Sequence, residues 1–523
     1  MKLSWNALLL SLALILTPTV AWSDSSEEKT SQEKEEQVTE EEEDTPPTLE
    51  EKISELLPDL TEQESEYLAT LSKADEHYQA GDKKEAEALY REAKVSFSNE
   101  TLSSSRNPYY EEEELPPGGN VYWRYGKAEF DPKLKTKSIA PLQHLVTEYP
   151  DFIPGHIRYA EALVYFDETE KAISHLEQAI PRYPQQVELV EAILPLYEET
   201  EQWLNASLTA RQFALLNPEH SKAEEFKTLA EQRLEQFESA LRSELRGNVI
   251  ANVITGGLGF ALTGSLLGPL SALDSTTLLL RGESGVGESF SNRLQEELPL
   301  VEDEELNNYV NEIGNTLIPY AGRDDFEYEF HIIMDENLNA FALPGGKIFI
   351  NAGAILKTES EAELAGLIAH ELAHAVLSHG FQLVTEGNLL ANVGQFVPLG
   401  RTAANLVVLD YSRGMEREAD QMGTRLMASS DYAADGLYNL MTTLEEDKKD
   451  QPSPPVWLST HPGTEERINN IKTQIINNNY NRYSYEGVSD HQAMKEKMAK
   501  LLAQHQLEKE AEENEQENED DEN

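Results

Sequence analysis

Leu364-Ala365-Gly366-Leu367-Ile368-Ala369-His370-Glu371-Leu372-Ala373-His374-Ala375-Val376-Leu377 is an apolar run interrupted only by His370, Glu371 and His374. Its length and continuous apolar character read as a buried helix. Residues four apart share a helix face, so both imidazoles can reach one metal ion. Zinc takes His nitrogen readily, and a catalytic site holds it with three protein ligands and a position for water. Glu371 lies beside the first His, placed to take a proton from such a water and hand it to a leaving amine. An amphipathic helix that happens to carry two His and a Glu is the alternative, and this pentapeptide alone leaves both open.

One helix supplies two ligands, so a third must come from elsewhere. His379 is near, but the pattern that uses a third His needs it ten residues after the first, with a Gly turn between. Position 380 is Gly and position 377 is Leu, so that pattern is not met. Tyr411-Ser-Arg-Gly-Met-Glu416-Arg-Glu-Ala-Asp420 is a better source. Glu416 and Asp420 lie four apart on one helical face, beside the small Ala419, which permits close approach to the His-bearing helix. Glu416 would complete a His-His-Glu set. Asp420 would accept the free imidazole N–H of a bound His and fix its tautomer. A solvated acidic helix face is the plain alternative in so acidic a chain.

HExxH, the ExxAD of 416–420 and Ser459-Thr-His461-Pro-Gly-Thr-Glu-Glu-Arg467-Ile468 stand in one order along the chain. Together they resemble the zinc metallopeptidases that include CAAX prenyl endopeptidases, HtpX-type heat-shock proteases and periplasmic proteases that assist outer-membrane β-barrel assembly. Asn339-Ala-Phe-Ala-Leu-Pro-Gly-Gly-Lys-Ile-Phe-Ile350 and Glu361-Ala-Glu-Leu-Ala365 are similar to that family's approach to its HExxH helix, and the likeness spans about Glu304 to Ile471. The resemblance implies one Zn2+ per chain on His370, His374 and Glu416, with Glu371 as general base. Asp420 falls on the acidic position that closes the ExxAD motif. It also implies an α+β zincin domain of the gluzincin type with a small β-sheet, and places His461 and Arg467 near the cleft. Either residue could stabilise the developing oxyanion; His461 could instead fill the open zinc position, and Arg467 could be a structural ion pair. The segment around Asn339, Ala340 and Phe341 reads as a hairpin or edge strand, to which an extended substrate could add.

The 523 residues suffice for two or three domains. Residues 1–23 combine Lys2, an apolar core and small residues at Ala21 and Ser23, which reads as a secretory signal cleaved before Asp24. The chain has no Cys, so disulfides contribute nothing. Its net charge of -54 argues against nucleic acid or bare anionic lipid as partners of the bulk surface. Residues 24–60 and 506–523 are dense in Glu and are expected to be disordered.

Pro150, Pro184 and Pro218 fall 34 residues apart, each after an apolar segment, with Ala172, Leu176 and Ala179 in phase with Ala206, Ala210 and Phe213. This period resembles tetratricopeptide repeats over 61–240, with a break near 100–120 and an earlier unit at Ala74, Gly81, Ala86, Tyr90 and Ala93. Such arrays present a concave face to peptides or partner proteins. Residues 247–273 carry no charge but are rich in Gly, and read as a segment that packs on the catalytic domain or touches a membrane. The expected architecture is multidomain and mainly α: an N-terminal α-solenoid, then a zinc metallopeptidase domain over 290–490. Relatives with repeat arrays usually carry them after the protease; here they precede it. The expected function is a periplasmic endopeptidase for unfolded or misassembled envelope proteins, in possible contact with the outer-membrane assembly machinery. An envelope chaperone with a latched or silent zinc site is the alternative.

Overall fold

Helices dominate this computed structural model, which describes residues 47–97, 108–246, 279–385, 411–447, 456–462 and 465–521. The readings made for residues 1–23 and 247–273 lie outside them. Among the described residues no helix is long and apolar enough to cross a membrane. The chain runs through α1 (Leu49–Leu56), α2 (Glu62–Gln79), α3 (Lys83–Ala93), α4 (Pro117–Gly126), α5 (Lys135–Glu148), α6 (Ile153–Tyr165), α7 (Thr169–Ala179), α8 (Val187–Glu199), α9 (Trp203–Leu216) and α10 (Ala223–Arg246). Helices α11 (Gly282–Glu297) and α12 (Glu304–Leu317) lead into strands β1 (Glu329–Ile333), β2 (Ala340–Leu343) and β3 (Lys347–Asn351). Then follow α13 (Ala352–Lys357), α14 (Glu361–Val376), α15 (His379–Thr385), α16 (Arg413–Ser429), α17 (Gly436–Asp447), α18 (Val456–Thr460), α19 (Glu465–Asn477) and α20 (Val488–Asp521).

From α4 to α10 each helix packs on the next. Ala172, Ala179, Ala206 and Ala210 are fully enclosed among Leu163, Leu176, Ile193 and Phe213, so small residues let the helix axes approach. Helices α5, α7 and α9 end shortly before Pro150, Pro184 and Pro218, because Pro disfavours helical backbone at the preceding residue. Successive turns are tied by Asn217 Nδ2 donating to Pro184 O at 2.8 Å and Tyr183 Oη donating to Asp151 at 2.8 Å.

The earlier unit, expected beyond a break near 100–120, docks on a distant part of the chain. α2 and α3 pair with each other, but their core of Leu68, Leu71, Ala74, Ala86 and Tyr90 closes on Val488 and Tyr483 near the other end of the chain. Lys94, just past α3, is buried and donates to Asp435 at 2.7 Å and to Arg482 O at 2.6 Å, and pairs with Glu486. Arg482 Nε meets the second oxygen of Asp435 at 2.9 Å. Long-range ion pairs of this kind leave no periodic trace in sequence.

The sheet has the order β1-β3-β2, with β1 parallel and β2 antiparallel to β3. β2 is thus an edge strand. Phe341 stands opposite Phe349 in register, their rings stacked at 5.2 Å. The β2–β3 turn needs left-handed backbone at Gly345 (φ 74) and Gly346 (φ 86), which only Gly adopts at little cost. Helix α14 packs against this sheet with every residue from Ala362 to Val376 buried. Ser360 caps its start by accepting from Glu363 N at 3.2 Å. At its end Ser378 turns left-handed (φ 62), and the last carbonyls are taken by Arg323 on Val376 O and by Gln212, from α9, on Leu377 O.

Where they are described, both acidic segments expected to be disordered contain helix; residues 24–46 lie outside the described residues. Within 24–60, α1 starts at a capping box in which Thr48 accepts from Glu51 N while Glu51 accepts from Thr48 N. The tail beyond 506 continues α20 to Asp521. Met498, Ala499 and Leu502 anchor that helix in the core, and the Glu- and Gln-rich stretch that follows has good helix propensity. Lys52 reaches Glu510 at 2.8 Å and joins the two segments.

Lys94→Met leaves Asp435 and Glu486 short of a buried cation. It should destabilise the fold by about 3–5 kcal/mol. Denaturant unfolding measures this; a midpoint equal to the parent's contradicts the docking role.

Candidate metal centre

One turn of α14 sets His370 and His374 on the same face, with Nε2 atoms 3.1 Å apart. Helix α16 crosses them closely because Ala419 is small and fully buried and because a Cβ on Gly423 would sit 3.2 Å from the Ala369 carbonyl. That approach brings Glu416 to 3.6 Å from His370 Nε2 and 3.5 Å from His374 Nε2. His461, just after α18, adds its Nδ1 at 2.9 Å from Glu416 Oε1 and 3.4 Å from His370 Nε2. One ligating atom from each of these four buried residues falls within 4.8 Å of the others.

Arg467 is buried against the same cluster. Its guanidinium grips both Asp420 oxygens at 2.7 Å and reaches Glu416 Oε2 at 2.6 Å. This is a buried fork-to-carboxylate clamp, the geometry of the ion-pair alternative read for Arg467 from sequence. Asp420 uses Oδ1 again, 3.2 Å from His370 Nδ1, behind the ligand.

Three carboxylates, Glu371, Glu416 and Asp420, are buried here with one guanidinium, an excess of two negative charges when all are ionised. Their titration reports the same demand for positive charge. Burial works to strip His370 of its proton, yet Asp420 and Glu416 outweigh it and lift the imidazole to about 9. His374 goes the other way, driven well below its ordinary value by burial and by charge on His370. Burial resists ionising Glu416, but Arg467 and His461 hold it well below the usual carboxylate range. Two imidazoles, a carboxylate and this charge deficit fit a dication of borderline softness such as zinc.

Glu371 is held by Trp457, whose Nε1 donates to Oε1 at 3.0 Å, while Oε2 is buried with no hydrogen-bond partner among the described residues. Burial raises its affinity for a proton. Trp457 also stacks on His461, ring centroids 5.1 Å apart. Tyr411 stacks face-on to His374 at 3.8 Å and donates to Ala342 O at 3.4 Å, on edge strand β2. Ala340 and Phe341 lie on β2 and Asn339 directly before it, and all three are buried. Trp457 and Tyr411 escaped the sequence reading. The available signals were an aromatic four residues before His461 and another directly before the ExxAD helix. Tyr411, with Glu418, Gln382, Gln212, Glu177 and Tyr197, lines a cavity of about 570 Å³ between the helix pairs and α15–α16.

Residues 304–475 match the model of peptidase family M48. A protein of Vibrio cholerae provisionally named beta-barrel assembly-enhancing protease is 28% identical over 218 residues, 38% of this chain and 45% of that protein. The beta-barrel assembly-enhancing protease of Yersinia pestis is 24% identical over 249 residues, 44% of this chain and 51% of the relative. The mitochondrial metalloendopeptidase OMA1 of Schizosaccharomyces pombe is 30% identical over 176 residues, 31% and 51% of the two chains. The chain spans about half the length of these curated relatives.

Arg467→Met strands Glu416 and Asp420 as buried like charges. The metal-free protein should lose about 3–5 kcal/mol, and added zinc should recover part of it. Melting curves with and without EDTA read both effects; curves that superimpose on the parent's contradict the clamp.

Proposed function

We propose that this chain, which belongs to peptidase family M48 through residues 304–475, is a zinc-dependent endopeptidase acting on unfolded or misassembled proteins of the cell envelope. The observation that carries this reading is the buried cluster of His370, His374, Glu416 and His461 beside a Glu371 oxygen that has no hydrogen-bond partner among the described residues. His370, His374 and Glu416 would hold the metal in a gluzincin-type site. Bound zinc supplies Lewis acidity, polarising the scissile carbonyl and lowering the pKa of its water. Glu371 Oε2 takes a proton from the nucleophilic water and passes it to the leaving amine nitrogen. Trp457 keeps the other carboxylate oxygen occupied, so the proton moves at Oε2. Asp420 and Arg467 hold His370 and Glu416 in place.

Helices α4–α10 serve as tetratricopeptide-like docking pairs, a role supported by the cavity they share with Tyr411 and Glu418. The relatives named for β-barrel assembly support an envelope setting, with secretion by residues 1–23 into the periplasm and contact with outer-membrane assembly machinery. β2 is the edge to which an extended substrate would add. Because Tyr411 covers Ala342 O, that addition requires Tyr411 to move aside.

Glu371→Gln tests the reaction. It should keep zinc and fold while cleavage of unfolded casein falls by about 10²–10⁴-fold, the range of general-base contributions. Retained hydrolysis would overturn the mechanism.

A second reading, a chaperone or assembly factor with a latched site, is favoured by one observation: His461 stands among the ligand atoms instead of facing them from a distance. The two combine if His461 is a removable latch, a fourth ligand that must leave before substrate enters. His461→Ala should then raise basal cleavage and self-degradation severalfold. A slower variant would assign His461 to the transition state; an unchanged one would discard both roles. Aggregation suppression that persists in Glu371→Gln while the parent cleaves nothing would favour the chaperone.

A further inference from the structure

His379 fails as a third ligand by its spacing, yet it lies in contact with the site. It opens α15 directly after the left-handed Ser378. Its Nδ1 is 3.0 Å from His374 Nδ1, and its Nε2 is 3.2 Å from Glu418 Oε2. His374 and His379 are fully buried and Glu418 nearly so. Each candidate His ligand therefore has a group behind it: Asp420 behind His370 and His379 behind His374.

The direction of these hydrogen bonds follows from ligand chemistry. A neutral His374 that turns its Nε2 lone pair to a metal carries its hydrogen on Nδ1. His379 Nδ1 must then accept, so the hydrogen of His379 sits on Nε2 and is donated to Glu418. The opposite tautomer of His379 would press two N–H groups together 3.0 Å apart and leave Glu418 facing a lone pair. Only one assignment satisfies all three groups.

We propose that Glu418 and His379 form a positioning relay for His374. Glu418 fixes the tautomer of His379, and His379 holds the Nδ1–H of His374 so that its Nε2 lone pair points into the ligand cluster. Resting on the zinc reading above, the relay makes the two histidine ligands unequal. His370 is backed directly by a carboxylate, and His374 by a carboxylate one ring removed. Glu416, Glu418 and Asp420 thus share α16 but divide their work, since residues two apart on a helix face different ways. Glu418 is aimed at α15 while the other two face α14.

The test compares zinc affinity, by competition with a chromophoric chelator, in the full-length parent, His379→Leu, His379→Gln and Glu418→Gln. The visible absorption of each cobalt-substituted protein is a second readout that reports ligand geometry. His379→Leu should lose zinc affinity about 10–100-fold and shift the cobalt bands. His379→Gln, which restores an acceptor, should recover most of the loss, and Glu418→Gln should weaken binding by about 10-fold. Should His379→Leu fail to fold, the His379→Gln and Glu418→Gln proteins decide. Unchanged affinity and bands in Glu418→Gln, or a His379→Gln protein no better than a folded His379→Leu, overturn the relay. A parent that binds no zinc overturns the zinc reading and the relay with it; a parent that binds zinc beside unaffected variants overturns the relay alone.

Discussion

A buried guanidinium holds two carboxylates beside a pair of imidazoles, and the geometry of the site depends on that contact. Without Arg467, Glu416 and Asp420 would repel one another in a medium that screens charge poorly. One of them would take up a proton or turn away. With Arg467 in place both stay ionised, Glu416 faces His370 and His374, and Asp420 backs His370. The arrangement is still short of positive charge: Asp420 and Glu416 outweigh burial and lift the His370 imidazole to about 9. A dication meets the same need and makes better use of the lone pairs.

The rest of the chain is arranged around the helix that carries these imidazoles. The first helix pair docks through Lys94 onto Asp435 and Glu486, and Glu486 also accepts from Ser360, the cap of that helix. At the opposite end, Gln212 from the later helix pairs covers Leu377 O. Segments that precede the peptidase domain in sequence therefore hold both ends of its central helix. An array placed before the domain reaches the site flank through this folding-back, without depending on the order in which the parts are encoded.

What could be read from sequence was local. His370, His374, Glu416 and Asp420 each stand four residues from a partner, and helical periodicity puts such pairs on one face. The 34-residue recurrence of Pro similarly announces helix pairs whose period is fixed by their own packing. Partners from distant segments left no such mark. That Arg467 grips Asp420 across 47 residues, or that Trp457 donates to Glu371 across 86, depends on how helices cross. The acidic tails show a different limit. Composition alone argues for disorder, but a capping box at Thr48 and an anchored first half of the last helix are enough to order charged residues. His379 was weighed only as a ligand, because spacing rules describe what touches a metal and say little of what stands behind.

The most direct measurement of the central claim is X-ray absorption at the zinc edge of the purified full-length chain, with metal content determined on the same sample. The account predicts one zinc per chain in a four-coordinate shell of light atoms, with imidazole scattering from at least the two His of α14 and at least one carboxylate oxygen. Substoichiometric zinc in protein purified with zinc present, or a shell of oxygens without imidazole scattering, would contradict it.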